Sequence, residues 1–302
     1  MKEGRERAKE KKERIKELAR DKTPQKLKNP SEIQVRFRTG FIYICITLIC
    51  LLINDVTTAV LLSATAAICA GEFFYMLRSD AKLPNELLGI VGAALYPLSV
   101  WLFGLVGALL VTVGLVIALL VWYVMWMRAR IADVGVSLFG AAYTGLLLSG
   151  LMVVRTAPTL EFPWDGVLLL GIFASVWAND IFAYLIGRKF GKYKLAPRIS
   201  PAKSWEGLFA GLVGSVAVWV GLSFIPGVAM GIPQAVLFGI VSGLMGVLGD
   251  LAESRIKRNS GFKDSGTIMP GHGGLLDRCD SLFLVAVTSA ILLVVGGCIP
   301  YG

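Results

Sequence analysis

The chain reads as an all-α, polytopic membrane helix bundle with about nine transmembrane helices and a cytoplasmic N-terminus. Three observations predict this. Of 302 residues, 55% are hydrophobic and only 17% charged, with a mean hydropathy of +0.69, too apolar for a single soluble core. Apolar stretches recur at 39–54, 56–77, 86–103, 105–127, 135–154, 165–187, 205–225, 231–251 and 279–299, most of them near the roughly 20 residues a spanning helix needs. With the N-terminus inside, nine spans put 29 of the 30 Lys and Arg residues on one face and leave only Arg155 on the other. One span more or fewer would put the basic cluster of the last loop on the wrong side.

Residues 1–38 form a basic arm of 14 Lys or Arg against 7 Asp or Glu. Acids and bases alternate there at helical spacings, as with Glu6, Glu10 and Glu13 near Lys9, Arg14 and Lys16, which predicts a solvated helix or disordered arm. The alternative, a polybasic arm drawn to anionic lipid, is weakened by the interspersed acids. No charged, apolar and small-residue sequence of a signal peptide opens the chain, so the first span is expected to be retained. Residues 39–160 carry the N-terminal spans, with the apolar run from 84 to 127 divided near Gly104, and 161–302 form a C-terminal region with two polar cytoplasmic loops. The five cysteines are scattered and suggest neither disulfides nor a zinc site.

The sixth span carries Asn179 and Asp180 in an apolar setting, where an ionisable group is a functional candidate by default. Tyr184, one turn further, is placed to be a hydrogen-bond partner of Asp180. Six basic residues follow between 188 and 203. Ser200, Lys203, Ser204 and Glu206 then lead into the seventh span, with Ser204 as its expected N-cap and Lys203 beside an anion-attracting helix N-terminus. The string GRKFGK lacks the spacing of a P-loop, so a soluble-type nucleotide fold is unsupported. GLFAG at 207–211 and GIVSG at 239–243 would let the seventh and eighth spans approach closely.

The eighth span ends GLMGVLGDLAESRIKR, which puts Asp250, Glu253, Ser254 and Lys257 on one helical face. A loop with five glycines and the only histidine, His272, separates it from Asp277 and Asp280, an i, i+3 pair opening the ninth span. Carboxylates gathered at a membrane boundary repel one another unless cations sit among them. Lys and Arg neighbours or a hard, oxygen-liganded ion would serve, which points to magnesium rather than zinc or copper. The glycines, including Gly273 and Gly274, permit tight turns and close approach of backbone N–H groups to a phosphate. His272 is read as a loop or phosphate contact, because an ionised phosphate nucleophile needs no general base.

The run Ser254-Arg255-Ile256-Lys257-Arg258, then Lys263-Asp264, His272-Gly273-Gly274 and Asp277-Arg278-Cys279-Asp280 resembles the signature of the phosphatidate cytidylyltransferases, or CDP-diacylglycerol synthases. Upstream, Asn179-Asp180, Ile199-Ser200-Pro201 and Trp205-Glu206-Gly207 extend the resemblance over roughly 165–300. It implies an all-helical, dimeric membrane enzyme that transfers the cytidylyl group of CTP to phosphatidate and releases pyrophosphate, with a divalent cation. It further implies a multi-pass protein of a bacterial-type inner membrane whose active site faces the cytoplasm. CTP, phosphatidate and membrane lipid are the partners expected, and nucleic acid is not.

Carried over by position, Asp250 and Asp277 match the metal-binding carboxylates, with Asp280 beside them and a second cation left open. Lys257, Arg258, Lys263 and Arg278 match the basic residues around the phosphates, and Asp264 completes the catalytic set. Asn179, Asp180, Ser200, Lys203, Ser204, Glu206, Ser254, His272, Gly273 and Gly274 are the expected substrate contacts. Ala202, where many members have a polar or basic residue, and Cys279, where an aliphatic residue or threonine is commoner, depart from the pattern; neither removes a charge from the aspartate set. Two alternatives stay open: an ion or solute transporter using Asp180 and Asp250, and a cytidylyltransferase acting on an isoprenoid or ether-lipid phosphate.

Overall fold

The computed structural model describes residues 30–78, 84–269 and 273–300. Residues 1–29, most of the basic arm, lie outside the described residues, as does His272. The elements in order are α1 (Pro30–Ile53), α2 (Asp55–Arg78), α3 (Glu86–Met125), α4 (Ile131–Ala141), a π-helical segment (Ala142–Leu146) and α5 (Gly150–Arg155). Then come α6 (Trp164–Phe190), β1 (Lys194–Ala196), β2 (Ser200–Ser204), α7 (Trp205–Leu222), α8 (Ile232–Asn259) and α9 (Leu276–Val295). Among the described residues seven helical segments are long and apolar enough to cross a membrane, with α4 to α5 counted as one, and α1 adds a shorter apolar stretch, Arg38–Ile53.

The expected division near Gly104 corresponds to a reversal inside α3. Gly104 has φ 58° and ψ −148°, a backbone conformation closed to residues with a Cβ. The two arms fold back on each other: Tyr96 and Thr112 hydroxyls are 3.0 Å apart, whereas a straight helix would separate residues so spaced by about 24 Å. Each arm is about 30 Å long at 1.5 Å per residue, close to the thickness of a bilayer core.

Two groups of helices share the core. In the N-terminal group α2 packs on α3, and α4, the π-helical segment and α5 lie against them; in the C-terminal group α7 lies against both α6 and α8, and α8 against α9. Tyr143 of the π-helical segment joins the groups, with ring centroids 6.2 Å from Phe73 of α2 and 5.1 Å from Phe283 of α9. A second tie is polar: Arg155, buried at the end of α5, pairs with Asp165 of α6 at 2.9 Å. The five cysteines are free, three of them buried.

One difference from the sequence reading bears on the site. The loop after α6 contains a small antiparallel hairpin, with Lys194 opposite Ser204 and Ala196 opposite Ser200. Helix α8 continues to Asn259 and α9 begins at Leu276, so Ser254, Lys257 and Asp277 stand on helices as their spacing predicts, and Arg258 does too. Their orientations are therefore set by helix geometry.

Candidate active site

The hairpin side of the site is built by local polar contacts. Ser204 leaves β2 with an extended backbone and its Oγ accepts from the Gly207 amide at 3.2 Å, the N-cap expected for α7. Glu206 turns back to accept the Lys192 and Tyr193 amides at 3.1 and 3.2 Å, which fixes the hairpin's entry. Asn179 is buried between α6, α7 and α8, and the small residues of both GxxxG strings make that possible. A Cβ on Gly211 would stand 2.6 Å from its Oδ1, and one on Gly243 3.3 Å.

Asp180, one residue on, opens into a cavity of about 500 Å³. Tyr184, Arg188, Lys194, Ser200, Lys203 and Asp250 also line it. Tyr184 does not serve Asp180 as the sequence suggested. Its hydroxyl instead accepts from Arg188 Nη1 at 2.9 Å, because Arg188 stands a further turn along the same face.

Asp250 closes the cavity from α8. Lys203 Nζ donates to its Oδ2 at 2.6 Å and Ser254 Oγ to its Oδ1 at 3.1 Å. Asp180 and Asp280 lie within electrostatic reach of Asp250, and Lys203 and Arg278 are the cations that face Asp180. Lys257 also acts on Asp280 but is shared with Glu253 and Asp277, so these five carboxylates face three cations, a deficit of positive charge. The donors are all oxygen, the chemistry a hard cation requires, but among the described residues no three of these carboxylates are close enough together to hold one as they stand.

Asp277 is differently held. Lys257 Nζ donates to its Oδ1 at 2.6 Å, and the Ser265 and Gly274 amides donate to its Oδ2 at 2.9 Å each. Lys257 also pairs with Glu253, whose side chain is fully buried, so one ammonium bridges two carboxylates from α8 and α9. Gly273 has φ 93° and its carbonyl accepts from Met269, which turns the loop toward α9. Lys263 and Asp264 are exposed, Arg258 donates to the Phe262 carbonyl at 3.3 Å, and Arg278 is exposed on the side facing Asp180. Asp180 and Asp250 therefore share the cavity, with Asp280 within electrostatic reach of both, while Asp277 faces Lys257 and the loop.

Sequence reasoning missed Glu72 of α2, which stands about 200 residues away in the chain. It is buried, its Oε2 accepts from Ser265 Oγ at 3.1 Å and the Leu276 amide at 2.8 Å, and its Oε1 accepts from the Leu275 amide at 3.1 Å. A signal was present. Glu72 is the one ionisable carboxylate inside an otherwise apolar span, the same criterion that drew attention to Asp180.

Comparisons with known proteins identify the family. The model of the cytidylyltransferase family matches residues 34–295, which include both polar clusters and Glu72. The chain belongs to the cytidylyltransferase family. Among the relatives of this family member, phosphatidate cytidylyltransferase of Mycobacterium bovis is 32% identical over 249 residues, covering 77% of this chain and 79% of the relative. That of Haemophilus influenzae is 44% identical over 140 residues, covering 45% of this chain and 49% of the relative. The chloroplastic phosphatidate cytidylyltransferase 5 of Arabidopsis thaliana is 32% identical over 250 residues, covering 74% and 62%. The matched region thus spans about half of the Haemophilus relative's length and under two thirds of the Arabidopsis one's.

Proposed function

We propose that this family member is a phosphatidate cytidylyltransferase, which converts CTP and phosphatidate to CDP-diacylglycerol and pyrophosphate. The observation that carries the reading is the cavity where Lys203 meets Asp250, lined by Arg188 and Lys194 as well. Three cations on the wall of one cavity suit a triphosphate, and carboxylates among them suit its counter-ion. The relatives' names supply the substrate pair.

In this reading an oxygen of the lipid phosphate attacks the α-phosphorus of CTP in line; the new P–O bond forms as the bond to pyrophosphate breaks. The nucleophile is already an anion, so no side chain has to remove a proton. Lys203, Arg188 and Lys194 hold phosphate oxygens, and Ser200 and Ser204 line the approach. Asp250 and Asp280 are the residues that would hold magnesium, with Asp180 toward a second cation, whereas Asp277, expected in the same set, is taken up by Lys257 and two loop amides. A divalent cation bound there supplies neutralisation of charge on the phosphates. Lys257, held between Glu253 and Asp277, keeps the start of α9 against α8.

The membrane arrangement belongs to the same proposal. Counting the two arms of α3 separately and adding α1 makes nine spans, and the basic loops then share the cytoplasmic face with CTP. Insertion in a bacterial-type inner membrane and pairing into a homodimer complete it.

The test is purified protein in lipid nanodiscs with labelled CTP, magnesium and a panel of lipid phosphates. CDP-lipid and pyrophosphate should appear in equal amounts, with phosphatidate the preferred acceptor over isoprenoid and ether-lipid phosphates. No CDP-lipid from any acceptor, or solute flux without CTP consumption, would overturn the reading.

A further inference from the structure

Helix α9 begins without a cap of its own. Leu275 occupies its N-cap position and offers no side-chain acceptor to the free amides of the first turn, which need one when they are buried. Glu72 supplies it from α2. Its carboxylate takes the Leu275 and Leu276 amides, and a negative charge at a helix N-terminus is also favoured by the helix dipole. Ser265 is shared between two carboxylates: its hydroxyl donates to Glu72 and its amide to Asp277.

The glycines on either side of this contact are there to admit Glu72. A Cβ on Gly266 would stand 2.5 Å from Glu72 Oε1, and one on Gly274 would collide with both the Glu72 carboxylate and Ser265 Oγ. Two of the glycines that the sequence suggested as a phosphate cradle therefore face a buried side chain. All three groups that reach Glu72 act as donors, the pattern a carboxylate satisfies and an amide does not.

We infer that Glu72 is a positioning residue of the reaction: from the N-terminal half of the molecule it sets where α9 starts, and with it the placement of Asp277, Arg278 and Asp280. Those three follow Leu276 within four residues, so a shift of the first turn moves all of them. Glu72 acts through them, and it is not among the residues that line the cavity. The functional half of this inference rests on the cytidylyl-transfer reading; the capping half does not.

The experiment compares the full-length protein with Glu72→Gln and Glu72→Asp in nanodiscs, following turnover of CTP and phosphatidate and amide exchange at Ser265, Leu275 and Leu276. Glu72→Gln places an NH2 group against donors and forfeits bonds to a charged acceptor, so kcat should fall about 10- to 100-fold. KM for CTP should change little, and exchange at Leu275 and Leu276 should quicken while thermal unfolding of the helical bundle stays cooperative. Glu72→Asp, which keeps the charge, should recover part of kcat.

Wild-type kcat in Glu72→Gln would overturn the inference, as would a fall in kcat with exchange at these amides unchanged. Equal loss in Glu72→Asp and Glu72→Gln would overturn it too, since charge would then not matter. If the unmodified protein forms no CDP-lipid but exchange still responds to Glu72→Gln, the reaction assigned above fails and the cap stands.

Discussion

Asp250 and Asp277 are each ion-paired to a lysine at 2.6 Å, yet they are held in opposite ways. Among the described residues Asp250 bonds only to side chains, Lys203 and Ser254, at the wall of a cavity shared with Asp180. Asp277 accepts two backbone amides as well as Lys257 and is nearly buried. Side-chain partners exchange readily for a substrate or ion, whereas amides of a folded loop do not. In the proposed reaction this difference leaves the Asp250 side able to change partners, while the Asp277 side fixes a loop.

The largest effect that would break this comparison is on stability. Lys257→Met leaves Glu253 and Asp277 facing each other without their shared cation, and removing one partner from a buried pair costs about 3–5 kcal/mol. Thermal unfolding should show the loss, and adding Glu253→Gln should restore much of it. No loss would mean that the Asp277 side is not a structural clamp. The corresponding removal of Lys203 at the cavity should leave the melting temperature nearly unchanged.

A smaller effect sharpens the same contrast. Gly266→Ala pushes a methyl group onto Glu72, and overpacking of this kind costs about 1–3 kcal/mol. Combined with Glu72→Asp, whose shorter side chain frees space, the penalty should shrink; strictly additive penalties would contradict the contact. The smallest effect is expected on the hairpin side, where Ser204→Ala removes an N-cap worth about 1 kcal/mol. Denaturant unfolding should detect it, with loop exchange at Leu275 and Leu276 unaltered.

Much of this was legible in the sequence because it is local. The run from Asp250 to Lys257 declares its face through helical spacing, and the Ser254 to Asp250 hydrogen bond realises it. Ser204 announces a cap, and Gly104 marks a reversal inside an apolar stretch long enough for two spans. The remainder depends on contacts between distant segments. Residues three apart on a helix differ by about 60° around its axis, so Asp277 and Asp280 were free to diverge once Lys257 and the returning loop drew Asp277 aside. Glu72 was visible as an isolated carboxylate in an apolar span, but its partners lie about 200 residues away. The hairpin at 194–204 is too short, and too broken by Pro201, to show alternation.

The central claim is that Asp250 exchanges partners during the reaction while Asp277 holds the loop. Its most direct test measures turnover and amide exchange at Ser265 and Gly274 in Asp250→Asn and Asp277→Asn side by side. Both variants should lose turnover by about 100-fold or more, the scale of removing a preorganised charge contact, but only Asp277→Asn should quicken exchange at these amides. Faster exchange in both variants, or near-normal turnover in Asp250→Asn, would contradict the account.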